Sequence, residues 1–122
     1  MSVPAFSDAL DTVIRRIPET QLVMIMGTDG IPIEKRIVRP EPNLDAVAAE
    51  YTTLLRASVS AADDTGLGEL KELCVVTDKM TAILVGITAE YFLFAALSPG
   101  GLTGKARFVL RLAGLSLQRE FQ

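Results

Sequence analysis

The stretch TAILVGITAEYFLFAAL, residues 81–97, contains two apolar runs, AILVGI and YFLFAAL, separated by the short connection Ala89-Glu90. Apolar residues at almost every position, without polar alternation, are typical of strands that are covered on both faces of a sheet. The run LVMIM at residues 22–26 has the same character. These three segments predict the central strands of a sheet that has helices on both sides.

Two further segments have strand character but carry charged residues. Residues 31–38, IPIEKRIV, follow the turn Thr28-Asp29-Gly30, and residues 70–77, LKELCVVT, follow Glu69. Proline and clustered charges are typical of edge strands. If each hairpin pairs its own strands, strand 2 flanks strand 1, and strands 3, 4 and 5 form a meander. Joining strands 1 and 5 then gives an antiparallel sheet of order 2-1-5-4-3.

Three segments have the periodicity of amphipathic helices. Ser7, Asn43 and Thr103 are placed to cap their N termini, and the helices are expected to end near residues 17, 64 and 121. The predicted order is helix-strand-strand-helix-strand-strand-strand-helix. The fold class is therefore α/β in the broad sense (α+β).

Length and charge limit the possible functions. The chain has 122 residues, which fits one domain over residues 1–122, and its net charge is −3 from 12 basic and 15 acidic residues. The basic residues form no stripe of the kind that nucleic acid requires. The sequence has no apolar run of roughly 20 residues and no secretion signal in its first residues, so we expect no membrane insertion and a cytoplasmic protein.

The segment LSPGGLTGKARF, residues 97–108, looks at first like a phosphate-binding loop. Such a loop needs a glycine where Pro99 stands and a hydroxyl residue where Ala106 stands, so a turn into a helix is the better interpretation. The chain has no histidine, and its one cysteine, Cys74, lies in an apolar stretch. We therefore expect no catalytic residues, no metal site and no cofactor.

The long helix has an unusual outer side. Opposite its apolar stripe of Leu44, Val47, Tyr51, Leu54 and Leu55 lies a row of small residues, which permits close approach of a second backbone. Strand 3 ends in uncharged residues that leave its edge open to pairing. We predict a dimer interface of Ala46, Ala49, Thr53, Ala57, Ser60, Leu73, Cys74, Val75 and Val76. The alternative is that this face is exposed to solvent and carries alanines only because they are good helix formers.

The last helix is expected to bury much of its circumference. The apolar residues concerned are Phe108, Val109, Leu110, Leu112, Ala113, Leu115, Leu117 and Phe121. Arg107 and Arg111 remain on the exposed stripe, where we expect pairing with Asp8 or Asp11 of the first helix, or solvation. The alternative is a contact with an anion or a partner.

The Thr28-Asp29-Gly30 turn, the apolar fourth and fifth strands and the sequence LTGKAR at residues 102–107, in this order, resemble the roadblock family, named for a dynein light chain. The resemblance covers about residues 7–118. It implies the 2-1-5-4-3 sheet, with one long helix on one face and two helices on the other. It also implies homodimers, or heterodimers with another roadblock-type chain, formed through the long helix and strand 3.

Roadblock proteins are scaffolds or regulators of Ras-like small GTPases, and this chain is similar to the compact bacterial MglB type. The resemblance thus implies a non-enzymatic regulator or scaffold, and an arginine supplied in trans to a partner's nucleotide could activate hydrolysis. Candidate partner contacts are Lys35, Arg36, Arg39 and Arg56. The alternatives are a small-ligand sensor and a structural dimerisation subunit of a larger complex.

Overall fold

The computed structural model describes residues 3–121 and confirms the predicted order of elements. The helices are α1 (Val3–Arg16), α2 (Leu44–Asp64) and α3 (Thr103–Gln118), and a 3-10 turn (Arg119–Phe121) follows α3. The strands are β1 (Thr20–Gly27), β2 (Pro32–Ile37), β3 (Glu72–Val76), β4 (Thr81–Gly86) and β5 (Tyr91–Leu97).

The five strands form one sheet of order β2-β1-β5-β4-β3, and every pairing is antiparallel. The predicted order and the two edge strands are therefore confirmed. The central junction pairs Val23 with Ala95 and Ile25 with Leu93. The register of β1 against β5 shifts between Thr20 and Leu22, so Gln21 is an extra residue at this point of the strand.

Apolar side chains cover both faces of the sheet, as the continuous apolar strands predicted. On one face, α1 and α3 pack over the side chains of Val23, Ile25 and Leu93. On the other face, α2 alone packs over Met24 and Phe94. The predicted arrangement, with one long helix on one face and two helices on the other, is thus present.

The 3-10 turn after α3 packs against α1 and β5 through Phe121. The ring of Phe121 stacks on Phe6 of α1 at 5.3 Å between centroids and on Tyr91 of β5 at 4.4 Å. Stacked aromatic pairs are stabilising beyond the area they bury. Phe121 therefore connects α1, α3 and the central sheet on one face.

The predicted cap positions are wrong for α1 and α3 and correct for α2. Helix α1 begins before Ser7, because Pro4 is tolerated in a first helical turn and the earlier start brings Phe6 into the core. Asn43 precedes α2 but makes no side-chain cap bond, and the residue before α3 is Leu102 rather than Thr103. Burial of apolar faces, rather than capping, fixes where these helices lie.

The expectation that α3 buries much of its circumference is wrong for three of the eight apolar residues concerned. Phe108, Leu112 and Leu115 are 58%, 42% and 62% exposed, while the buried side carries Ala106, Val109, Leu110, Gly114 and Leu117. The cause is the close packing at Gly114, where an added Cβ would lie 3.0 Å from Val85 Cγ1. This glycine orients the helix and leaves the opposite apolar stripe outside.

Candidate interaction surface

The outer face of α2 is open to solvent in the isolated chain. Its five predicted interface residues, Ala46, Ala49, Thr53, Ala57 and Ser60, are all exposed. Leu54 was predicted to lie on the buried stripe, but it is 41% exposed, and Val59 is exposed beside it. The apolar pattern did not indicate that these two residues are exposed, because the buried stripe of α2 is narrower than that pattern, and Ala48 and Thr52 take inner positions.

Hydroxyl groups on α2 bond within the helix rather than outward. Thr53 Oγ1 donates to the Ala49 carbonyl at 3.3 Å, and Ser58 Oγ donates to the Leu54 carbonyl at 2.8 Å. Such bonds satisfy the hydroxyl donors locally. The outer face of α2 is therefore less polar than its composition suggests, which lowers the cost of covering it with another protein surface.

The edge strand β3 contributes side chains to the apolar cluster that α2 covers. Leu73 and Val75 pack against the cluster that α2 covers, whereas Cys74 packs against the cluster under α3. These three residues are half-buried, and Val76 is 65% exposed. We call the five small residues of α2 together with residues 73–76 the α2–β3 surface.

An ion pair joins β3 to α3 and corrects the expectation for Arg107. Its Nε donates to Glu72 Oε2 at 2.8 Å, and Nη2 contacts the same oxygen, so its partner is neither Asp8 nor Asp11. The hydrogen bond and charge of Glu72 raise the pKa of the Arg107 guanidinium. Because side chains alternate along a strand, Glu72 lies on the face of the sheet that α3 covers. This alternation, read from the sequence, would have identified Glu72 as the partner of Arg107. The neighbouring Cys74 thiol has a raised pKa, chiefly because of burial.

The four predicted partner contacts do not form one cluster. Arg36 is held by α1 and its own strand: Nη2 donates to Ser7 Oγ at 2.8 Å, Nε lies 3.4 Å from Asp11, and Nη1 lies 3.0 Å from Glu34. The hydrogen bond to Glu34 is the main cause of its raised pKa. Its neighbour Lys35 contacts α2 instead, because alternate residues of a strand face opposite sides.

The other three candidates differ in whether their charged groups form hydrogen bonds or ion pairs. Lys35 Nζ lies 3.8 Å from Asp45, and Arg56 Nη1 donates to the Thr28 carbonyl at 2.7 Å. The side chain of Arg39 is exposed and makes no hydrogen bond or ion pair with any residue between 3 and 121. Arg39 is thus the candidate with its guanidinium available to a partner.

The glycine-rich turn before α3 is unsuited to phosphate. The carboxylate of Glu19 lies so close to Gly101 that an added Cβ there would be 2.6 Å from its Oε1. The space at this turn is about 20 Å³, and a negative side chain at its wall would repel an anion. Across residues 3–121, no group of three His, Cys, Asp or Glu side chains is arranged to hold a metal ion.

Two clefts flank α2. One, of about 470 Å³, is lined by residues that include Gln21, Tyr51 and Met80. Gln21 is 8% exposed, and its buried Oε1 accepts no hydrogen bond from any residue in the range 3–121. The other cleft, of about 430 Å³, has a more apolar lining that includes Val59 and Phe92. None of the helices in the described part of the chain is long and apolar enough to cross a membrane.

The fold is a small three-layer α/β domain in which the outer face of α2 and the edge of β3 are exposed. The Roadblock/LC7 domain family model matches residues 7–98. The chain therefore belongs to the Roadblock/LC7 domain family, as the sequence resemblance implied. No curated protein sequence matches the chain.

Solved structures with the same fold include MglB and MglC proteins. Gliding protein MglB of Thermus thermophilus matches with a TM-score of 0.84 and 16% identity, over 98% of this chain and 91% of that one. An MglB structure with a tetrameric arrangement matches with a TM-score of 0.82 and 16% identity, over 98% and 91%. MglC from Myxococcus xanthus matches with a TM-score of 0.69 and 26% identity, over 95% and 98%.

Proposed function

We propose that this chain is a non-enzymatic, dimeric regulator or scaffold of a Ras-like small GTPase. Membership of the Roadblock/LC7 domain family and the similarity in fold to MglB support this proposal. The observation that carries it is the α2–β3 surface, which combines exposed small side chains on α2 with an edge strand that has no neighbour on its outer side among the described residues. On this proposal residues 1–122 form one cytoplasmic domain that needs no metal or cofactor of its own.

Self-association is the first part of the proposal. A second copy, or another roadblock-type chain, would cover α2 and extend the sheet at β3. The tetrameric arrangement of one MglB structure is consistent with this behaviour in a protein of the same fold. Because the outer face of α2 carries few charges, desolvating it costs little compared with an ordinary helix surface.

Sedimentation velocity of the wild type and Thr53→Arg tests the dimer. The arginine places a charged side chain at the middle of the α2–β3 surface, so we expect a dimer for the wild type and a monomer for the variant. Ser116→Arg is the matched control, because Ser116 is exposed on α3, away from this surface. A wild type that sediments as a monomer at every concentration would refute the proposal.

GTPase regulation is the second part. The test measures GTP hydrolysis by a Ras-like GTPase encoded near this chain, with and without the protein. Arg39→Ala is expected to reduce any acceleration, because this guanidinium has no partner among the described residues. Arg111→Ala, an arginine on exposed α3, is the matched control. Binding without a change in turnover would assign a scaffold role, and absence of binding would contradict the proposal.

A small-ligand sensor is the second candidate function, and Gln21 is the observation that favours it. An unmade hydrogen bond at a buried amide costs about 1–3 kcal/mol, which a ligand with a suitable donor would recover. Thermal unfolding with amino acids and small organic acids tests this function, with Gln21→Met as the non-binding control. A structural dimerisation subunit would instead leave both melting temperature and GTP turnover unchanged.

A further inference from the structure

The outer side of α3 carries a row of exposed apolar side chains. Phe108, Leu112 and Leu115 are spaced by four and three residues, so they share one face of the helix over about 10 Å of its length. Scattered apolar residues are ordinary on a protein surface, whereas a contiguous patch marks a contact. We call these three residues the α3 row. It lies on the opposite face of the sheet from α2.

A cleft of about 360 Å³ lies between α1 and α3 beside this row. Its walls include Ala9 and Thr12 of α1 and Leu112, Ala113 and Ser116 of α3. Most of these side chains are small, which leaves room for a side chain that enters from outside. Leu112 belongs both to the α3 row and to the wall of the cleft, so the two form one continuous surface.

The charges around the α3 row all have the same sign. The charged residues of α3 are Lys105, Arg107 and Arg111, and no acidic residue occurs in this helix. Arg107 pairs with Glu72, but the side chains of Lys105 and Arg111 form no ion pair or hydrogen bond with a residue in the range 3–121. On the helix, Lys105 lies about 60° to one side of Phe108, and Arg111 lies about 60° to the other. Unpaired positive charges thus flank the row on both sides.

We propose that the α3 row and the adjoining cleft bind an amphipathic helix of a partner protein, with apolar side chains along one face and acidic side chains on both flanks. Apolar residues spaced by three and four positions would pack on the row and enter the cleft, as in other helix-in-groove contacts. The flanking carboxylates would pair with Lys105 and Arg111. This inference goes beyond the proposed dimer and GTPase regulation and depends on neither.

The charges favour this occupant over two others. An anionic membrane also attracts basic and apolar residues together. However, Asp8 is exposed at the wall of the cleft and the chain has a net charge of −3, so such a surface would repel the protein as a whole. A second copy docking through its own α3 row would bring Lys105 and Arg111 toward residues of the same charge, which is unfavourable. An acidic helix from another protein meets neither penalty.

Fluorescence anisotropy with two labelled synthetic peptides tests the proposal. The first is an alanine-rich peptide of about 20 residues, long enough to form a helix, with leucines spaced by three and four residues and glutamates on both flanks. The second has lysines in place of the glutamates. We expect the wild type to bind the glutamate peptide, to bind the lysine peptide at least about tenfold more weakly, and to lose affinity for the glutamate peptide as salt screens the charges.

Substitutions on α3 test both components of the surface. Phe108→Ala and Leu115→Ala remove exposed side chains, and each should weaken binding of the glutamate peptide about tenfold. Arg111→Glu should weaken it by a similar factor and should bind the lysine peptide more tightly than the wild type does, a gain that damage to the fold would not produce. Leu54→Ala on α2 and Lys79→Glu in the β3–β4 turn are the matched controls and should bind like the wild type.

Other outcomes would overturn the proposal. Equal affinity for the two peptides, or no binding of the glutamate peptide, would contradict recognition of an acidic helix. Binding to phosphatidylserine vesicles that Phe108→Ala abolishes would assign the α3 row to a membrane surface. Self-association that persists in Thr53→Arg but is lost in Leu115→Ala would assign the row to a second copy. Because Thr53 lies on α2, binding of the glutamate peptide by Thr53→Arg as by the wild type would support the docking site even if the proposed dimer fails.

Discussion

Replacing a buried and an exposed leucine of α3 by alanine tests how this helix is oriented. Leu110 is fully buried in the core between the sheet, α1 and α3, whereas Leu115 is 62% exposed. Leu110→Ala leaves a cavity and is expected to lower the free energy of unfolding by about 3 kcal/mol. Leu115→Ala removes little buried surface and should change it by no more than about 0.5 kcal/mol.

Urea unfolding followed by circular dichroism measures both effects. With a slope of about 2 kcal/mol per molar urea, the Leu110 variant should shift its midpoint down by about 1.5 M. The Leu115 variant should unfold close to the wild type. Each variant is measured at a low and a high protein concentration, so that any contribution from self-association appears as a concentration dependence.

Equal losses for the two variants at low concentration would refute the orientation. They would mean that α3 buries both leucines in the isolated chain, as its apolar pattern alone suggested. A larger loss for Leu115 than for Leu110 would mean that the helix is turned about its axis. Either result would also remove the role given to Gly114 in setting the helix orientation.

Three other changes have expected outcomes. Phe121→Ala removes the ring that stacks on Phe6 and on Tyr91, and it should lower the free energy of unfolding by about 3 kcal/mol. Calorimetry measures this loss, and an unchanged melting temperature would contradict it. Gly104→Ala should raise the free energy of unfolding by about 0.5–1 kcal/mol, because an added Cβ meets no atom within 4 Å and alanine favours the helix. The raised pKa of the Cys74 thiol means that the unfolded chain loses this proton first, so stability should fall as pH rises above the thiol's ordinary pKa. The urea midpoints of the wild type and Cys74→Ser, measured at pH values below and above the ordinary pKa of a thiol, test this pH dependence. An identical pH dependence of the two proteins would contradict the role given to Cys74.

The strand order could be derived from the sequence because the turns between strands are short. Hairpins fixed the neighbours of each strand, and the charges of β2 and β3 identified the two edges. The caps and the exposed side of α3 could not be derived in the same way. Apolar residues occur around most of α3, so its pattern does not show which side faces the sheet, and packing at Gly114 decides it.

The candidate surface was predictable only in part. The small residues of α2 share one helical face in any fold, so their common exposure followed from spacing alone. The basic candidates do not lie on one surface. Lys35 and Arg36 face opposite sides of β2, and Arg36 is occupied by Ser7, Asp11 and Glu34. Alternation along a strand would have separated them.

The pairing of β1 with β5 has a consequence for biosynthesis. β1 leaves the ribosome early, yet its partner on the inner side is β5, which follows α2 and two further strands. Contacts between such distant segments form slowly, because the intervening chain must first be brought together. The nascent chain therefore presents an apolar strand edge until β5 has been made, and this is the interval in which chaperones would protect it from aggregation.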